Sequence, residues 1–176
     1  MKKLTAIVLS VAFCLSLLTG CNKSEEKVKV NKNQNVKACA KAGNKAGDIY
    51  EEIYGIVHSK FHSLKEFTVN YEIDYPLSDQ VKEAFGEADR QMHRVKNAND
   101  LSVAKKAIDD ATNLWSSQFE TKFPEIKESP DYLALKKLLA QKDKECEEKI
   151  KAYNEQIDKY NKYRPYGLSK RRHFGK

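Results

Sequence analysis

The chain is sparing with the residues that break helices. Four prolines and seven glycines are scattered through 176 residues, which excludes collagen-like and proline-rich architectures and leaves room for long helices. It has no Gly-rich phosphate loop and no Gly-x-Ser-x-Gly elbow. Common sequence marks of phosphate cradling and serine hydrolysis are therefore missing. Cys-x-x-Cys-His is absent, which removes covalent haem attachment. The Glu-x-x-His pairs of di-iron bundles are absent too, since His58, His62 and His93 follow Gly55, Ser59 and Arg90 by three positions. The acid pairs Glu51-Glu52, Asp109-Asp110 and Glu147-Glu148 are sequence neighbours. Neighbours diverge by about 100° on a helix and do not converge on one substrate. No stretch after residue 18 is apolar enough to span a bilayer. No enzyme chemistry is expected.

One apolar run does exist. Met1-Lys2-Lys3 is a short positive end, and Leu4 to Leu18 follow without a charge. That run is short of the roughly 20 residues a spanning helix needs and has the length of a secretory h-region. It ends in Leu18-Thr19-Gly20-Cys21, which resembles the lipobox of bacterial lipoproteins. The resemblance implies a diacylglyceryl thioether on Cys21, cleavage before it, and residues 1–20 as a removed signal peptide. The alternative is an uncleaved anchor with a chance cysteine. Each buried methylene contributes about 0.8 kcal/mol, so several acyl chains would make membrane attachment lasting. The expected address is the bacterial cell envelope. Asn22 stands where aspartate favours inner-membrane retention. The outer membrane, facing the periplasm, is therefore expected if the host is Gram-negative, and the outer face of the cell membrane otherwise.

Without the leader, 156 residues carry 30 basic and 25 acidic side chains. Arg164, Lys170, Arg171, Arg172 and Lys176 lie in an acid-free tail, 164–176, so the body before it is neutral. A neutral body argues against nucleic-acid binding. The tail reads either as a frayed terminus or as a contact for anionic lipid or polymer. Cys39 and Cys146 are the cysteines left over. They form either a disulfide closing a long loop or two buried thiols.

Residues 21–33 are polar, lack an apolar period and read as a tether. From 34 to 163 the period is helical. Val36, Ala40, Gly43, Gly47, Tyr50, Tyr54, Val57, Phe61 and Leu64 alternate spacings of four and three, with Cys39, Ala42, Ala46, Ile49, Ile53 and Ile56 beside them. The Ala and Gly in the first half of that face permit close approach by a neighbour. Further stripes run through Val81–Val95, Leu101–Phe123 and Leu135–Tyr160. Ser78 or Asp79, the Asn97–Asp100 turn, and Ser129-Pro130 supply helix starts. Residues 67–75 differ. Phe67, Val69, Tyr71, Ile73 and Tyr75 alternate with polar residues, the period of a strand. A lone strand either crosses over helices or pairs with another chain, which makes these five residues the candidate partner contact. The expected fold is all-α: an antiparallel up-down bundle of about four helices with one extended strand-like insert. Trp115 and the aromatic stripes are expected in its core.

The second half carries a family resemblance. Phe123-Pro124-Glu125-Ile126-Lys127, Tyr132-Leu133-Ala134-Leu135, and the pair Tyr153-Asn154 and Tyr160-Asn161, seven apart, are similar to motifs of the LemA family. Asp48-Ile49 with Ile53 and Val57 resembles a further LemA stretch. The likeness covers roughly 84–161 well and 36–61 poorly. The Arg-Arg expected before Asp48 is missing, and Glu51 stands where proline is expected. The resemblance implies a membrane-tethered antiparallel helical bundle and carries no catalytic residues. Two functions follow as expectations: a lipid-anchored scaffold or adaptor binding an envelope partner, or a small-ligand or metal-binding module. No cofactor is expected. For the second function His58 and His62 are the weak metal candidates, with ligand spacing on one helix face but no glutamate between them.

Overall fold

The computed structural model of the chain describes residues 23–71 and 74–176. Among these residues the structure is helical, with α1 Lys23–Tyr71, α2 Asp79–Arg94, α3 Ala98–Lys122, a short 3-10 helix Pro124–Glu128, and α4 Pro130–Tyr163. The leader, Cys21 and Ile73 lie outside the described residues. No helix among the described residues is long and apolar enough to cross a membrane.

Local chemistry sets most helix starts. Ser78 Oγ accepts from Val81 N–H at 3.3 Å to begin α2. Asn97 Oδ1 accepts from the N–H groups of Asn99 and Asp100 at 2.9 and 3.1 Å to begin α3. Pro124 ends α3 and opens the 3-10 turn. Ser129 then occupies the N-cap of α4 with Pro130 at its first position, although its side chain makes no capping bond.

The two longest helices pack along each other. Tyr160 meets α1 at Gly43, where an added Cβ would lie 3.4 Å from the ring. Further along come the Lys149–Glu52 ion pair, Lys60 Nζ–Asp143 Oδ1 at 2.5 Å, and Tyr71 Oη donating to Asp131 Oδ2 at 2.6 Å. Residue numbers rise along α1 as they fall along α4. Helices α2 and α3 form the other close pair, bridged by Gln118 Nε2 donating to Gln80 Oε1 at 2.9 Å. The apolar stripes meet in a core with two lobes. One gathers Ile53, Phe61, Ala88, Leu101, Ile108 and Ile157. The other is aromatic and gathers Phe67, Trp115, Phe119 and Tyr132 around Leu64 and Val81. Each buried Ile, Leu, Val or Phe among these stabilises the fold by about 1.5–3 kcal/mol on burial.

Two expectations change, and two alternatives are decided. First, residues 67–71 are the last turn of α1 and not a strand. Phe67 and Tyr71 are four apart, so a short alternating run also places them on one helical face with Leu64. Thr68 Oγ1 donates to Leu64 O at 2.8 Å, as a side chain within a helix does, and Tyr75 N–H donates to Tyr71 O at 2.8 Å beyond the helix end. Second, α1 already begins at Lys23, so residues 23–33, read as a polar tether without an apolar period, are helical. Lysine, glutamate and glutamine are good helix formers that need no apolar face.

Of the two readings of the tail, the frayed terminus is set aside, because the tail packs on the body. Phe174 is buried against Tyr153, and Arg171 lies over the Tyr160 ring. Of the two alternatives for the cysteines, the structure has buried free thiols at both Cys39 and Cys146. Cys146 sits beside Ile56, Val57 and Lys60. Cys39 is about 25 Å further along α1 from Ile56 at about 1.5 Å per residue. A disulfide needs its Cα atoms within about 7 Å.

Candidate functional site

An open groove of about 490 Å³ lies between helices α1 and α2. Its apolar lining is Phe61 and Met92, both buried, with Tyr54 at one end. Val69 stands at the other end with 66% of its surface exposed. Lys65 crosses the groove to Asp89, Nζ to Oδ1 at 2.9 Å, and also lies 5.3 Å from the Phe61 ring centre. The hydrogen bond from Lys65 is the main reason the Asp89 carboxyl is held below its ordinary pKa.

Three of the four histidines line this groove. His58 and His62 come from α1, with ring centres 6.5 Å apart, and His58 stacks on Tyr54 at 6.1 Å. His93 comes from α2, its Nδ1 2.8 Å from the Asp89 carbonyl oxygen. Glu66 Oε2 is 3.8 Å from His62 Nδ1. The sequence singled out His58 and His62 together, and the structure adds His93, Asp89 and Glu66 to their surroundings. Helical spacing links His62 to Glu66 but carries no signal joining either to His93, which is on another helix. Among the described residues no group of three or more His, Cys, Asp or Glu side chains is arranged to hold a metal ion.

The five residues expected to contact a partner have separated. Phe67 is buried, its ring centre 5.9 Å from Trp115 and 6.2 Å from Phe119. Tyr71 stacks on Phe67 at 4.5 Å, and Tyr75 packs against Phe123 at 4.8 Å. Only Val69 among the four described stands free on the surface, at the groove. The aromatic lobe is tied to a polar cluster at its edge. Glu120 Oε1 accepts from Lys136 Nζ at 2.7 Å and from Tyr132 Oη at 2.5 Å. These bonds, Lys136 first, hold the Glu120 carboxyl down at about 2. Burial, then the bond to Glu120, pushes Tyr132 up to about 12.

Neither thiol is set up as a nucleophile. Burial raises both, with Arg171 partly offsetting it at Cys39, and Cys146 is pushed up to about 11. Beside Cys146 lies a polar cluster that periodicity did not reveal. Lys60, 5% exposed, donates to Asp109 at 2.7 Å and to Asp143 at 2.5 Å, joining α1, α3 and α4. Lys105 reaches the other oxygen of Asp109 at 2.6 Å. Each carboxylate in this cluster is directly paired with a lysine, which suits a structural tie better than proton transfer to a substrate.

No protein-family model matches the chain, and no curated protein is significantly similar to it.

Proposed function

We propose that the chain is a lipid-anchored protein of the bacterial cell envelope, a LemA-like helical scaffold or adaptor without catalysis of its own. The observation that carries this reading is the ordered N-terminal pattern: two lysines, an uncharged run and Leu18-Thr19-Gly20-Cys21, placed ahead of a helical body. Its helices are proposed to run antiparallel, up and down. The opposed numbering of the α1–α4 contacts supports that arrangement. The proposed docking surface is the groove between α1 and α2, with apolar Phe61, Met92 and Val69 bordered by charges of both signs. The exposed Lys170 and Arg172 of the tail remain turned outward, where an anionic lipid or polymer would meet them.

Two measurements test this. The mass of the mature N-terminus should show acyl chains on Cys21, and Cys21→Ser should release the protein from membranes. An unmodified N-terminus would end the reading. A photo-crosslinker at position 69 should capture an envelope component in intact cells, whereas one at exposed Asp110, on α3, should not. Equal capture at both positions would reject the groove.

A metal- or small-ligand module is the second reading, favoured by His58, His62 and His93 sharing the groove. Zinc calorimetry separates the two readings. Heat that disappears in His62→Ala and His93→Ala would favour the metal module, and no heat at millimolar zinc would exclude it.

A further inference from the structure

The C-terminal tail is held by a repeated device on α4. Asn161 Nδ2 donates to Arg171 O at 2.8 Å, and Asn161 Oδ1 accepts from Arg171 N–H at 2.9 Å. One side-chain amide thus takes both backbone groups of one residue, as a neighbouring strand would. Seven residues earlier, Asn154 Oδ1 accepts from Phe174 N–H at 2.8 Å. Two helical turns span about 10.5 Å. Three residues of extended chain reach about 10 Å. The Asn154–Asn161 spacing therefore fits an extended segment running opposite to α4, gripped at both ends of four residues.

Each asparagine has a tyrosine before it that receives a side chain. The Arg171 guanidinium lies 4.4 Å from the Tyr160 ring centre, and Phe174 meets Tyr153 edge-on at 6.4 Å. Between them His173 Nε2 is 2.8 Å from Asp158 Oδ1. Gly43 on α1 faces the same ring and guanidinium, and an added methyl there would make only ordinary van der Waals contact. A Cβ there would lie 3.4 Å from Tyr160 and 3.6 Å from the Arg171 guanidinium. Backbone bonds that ignore sequence, alternating with receptors for one cation and one aromatic ring, are the logic of peptide recognition.

We propose that the Tyr153–Asn161 face of α4 is a peptide-binding site whose resident occupant is the chain's own tail. The external ligand is an extended segment of another polypeptide with arginine followed three residues later by an aromatic residue. The polar contacts at Asn161 and Asp158 are exposed, so they exchange with solvent and competitors. The tail is joined to α4 through Arg164–Lys170, where Gly167 takes a left-handed φ of 92° and Tyr166 and Leu168 are exposed. That connector holds the tail at millimolar-range effective concentration, so it competes with any segment arriving from outside.

The test uses the full mature chain and a labelled peptide of residues 164–176. The variant Arg171→Ala/Phe174→Ala weakens the resident tail and should bind the peptide at least tenfold more tightly than the wild-type chain. Adding Asn154→Ala and Asn161→Ala should abolish that binding. Equal affinity for the first two proteins, or no effect of the asparagine substitutions, would overturn the proposal. Wild-type chain provides an arm that does not depend on the variants folding. Millimolar peptide should speed hydrogen exchange at the Arg171 and Phe174 amides, and a scrambled peptide should not. Unchanged exchange would overturn the proposal. So would a peptide-sensitive dimer in light scattering, which would reassign the face to tail exchange between copies.

Discussion

Lys60 offers the sharpest energetic test of the fold. Its side chain is 6% exposed, and its ammonium is neutralised by Asp109 and Asp143, whose side chains are 28% and 43% exposed. Stripping the partners from a buried charge costs about 3–5 kcal/mol, whereas replacing a whole buried pair by apolar groups is often neutral. Asp109→Asn/Asp143→Asn removes both negative charges but keeps amide oxygens that still accept from Lys60. Water also reaches both partner positions. The expected loss is therefore below that range, about 2–3 kcal/mol. Lys60→Met removes the cation instead. Asp109 then keeps Lys105 at 2.6 Å, and Asp143 is nearly half in solvent. That change should cost at most about 1 kcal/mol, in line with weak exposed ion pairs. Combining all three substitutions should recover most of the loss. Urea unfolding followed by circular dichroism reads these values as midpoint shifts at constant slope. The reasoning is refuted if Lys60→Met is the more damaging change, or if the triple variant is no better than the double one.

The same method at varied pH addresses Glu120 and Asp109. At Asp109 burial acts to raise the pKa, but hydrogen bonds from Lys105 and Lys60 outweigh it, so both folded carboxyls lie below their ordinary values. Glu120's contribution is complete above about pH 4.5 and disappears as pH falls toward about 2, and Asp109's is likewise lost on the acid side, the unfolded chain binding the protons first in both cases. Glu120→Gln should flatten that acid-side decline, and an unaltered slope would contradict the assignment. Phe67→Ala should cost about 3–5 kcal/mol because the side chain is core, while Val69→Ala should stay within about 0.5 kcal/mol. Equal effects would restore the surface reading of Phe67. The thiols of Cys39 and Cys146 should resist alkylation at pH 8 until the chain unfolds, as mass spectrometry would show; rapid labelling of Cys146 in the folded protein would contradict its burial.

Most of the helical architecture was legible because periodicity reports which face of a helix is apolar. The stripes through Leu101, Ile108, Trp115 and Phe119 and through Leu135, Leu139, Cys146 and Ile157 are buried as their spacing requires. Breakers and caps at Ser78, Asn97, Pro124 and Ser129-Pro130 fall at the observed junctions. The alternating segment misled because positions four apart satisfy both a period of two and a helical turn, and five alternating residues are too few to separate them. The helical conformation of residues 23–33 was missed for a related reason. An apolar period detects packing, and a polar helix lacks that signal.

The sequence by itself determined the helical stripes, their breaks and the patterned N-terminus, since each depends on neighbours within a few residues. Tertiary structure alone decided that three histidines share a groove, that Lys60 meets aspartates from two other helices, and that the tail folds back on Asn154 and Asn161. Those outcomes depend on how whole helices are placed against one another. Side chains far apart in the chain meet only after the core has fixed the distance and rotation between their helices.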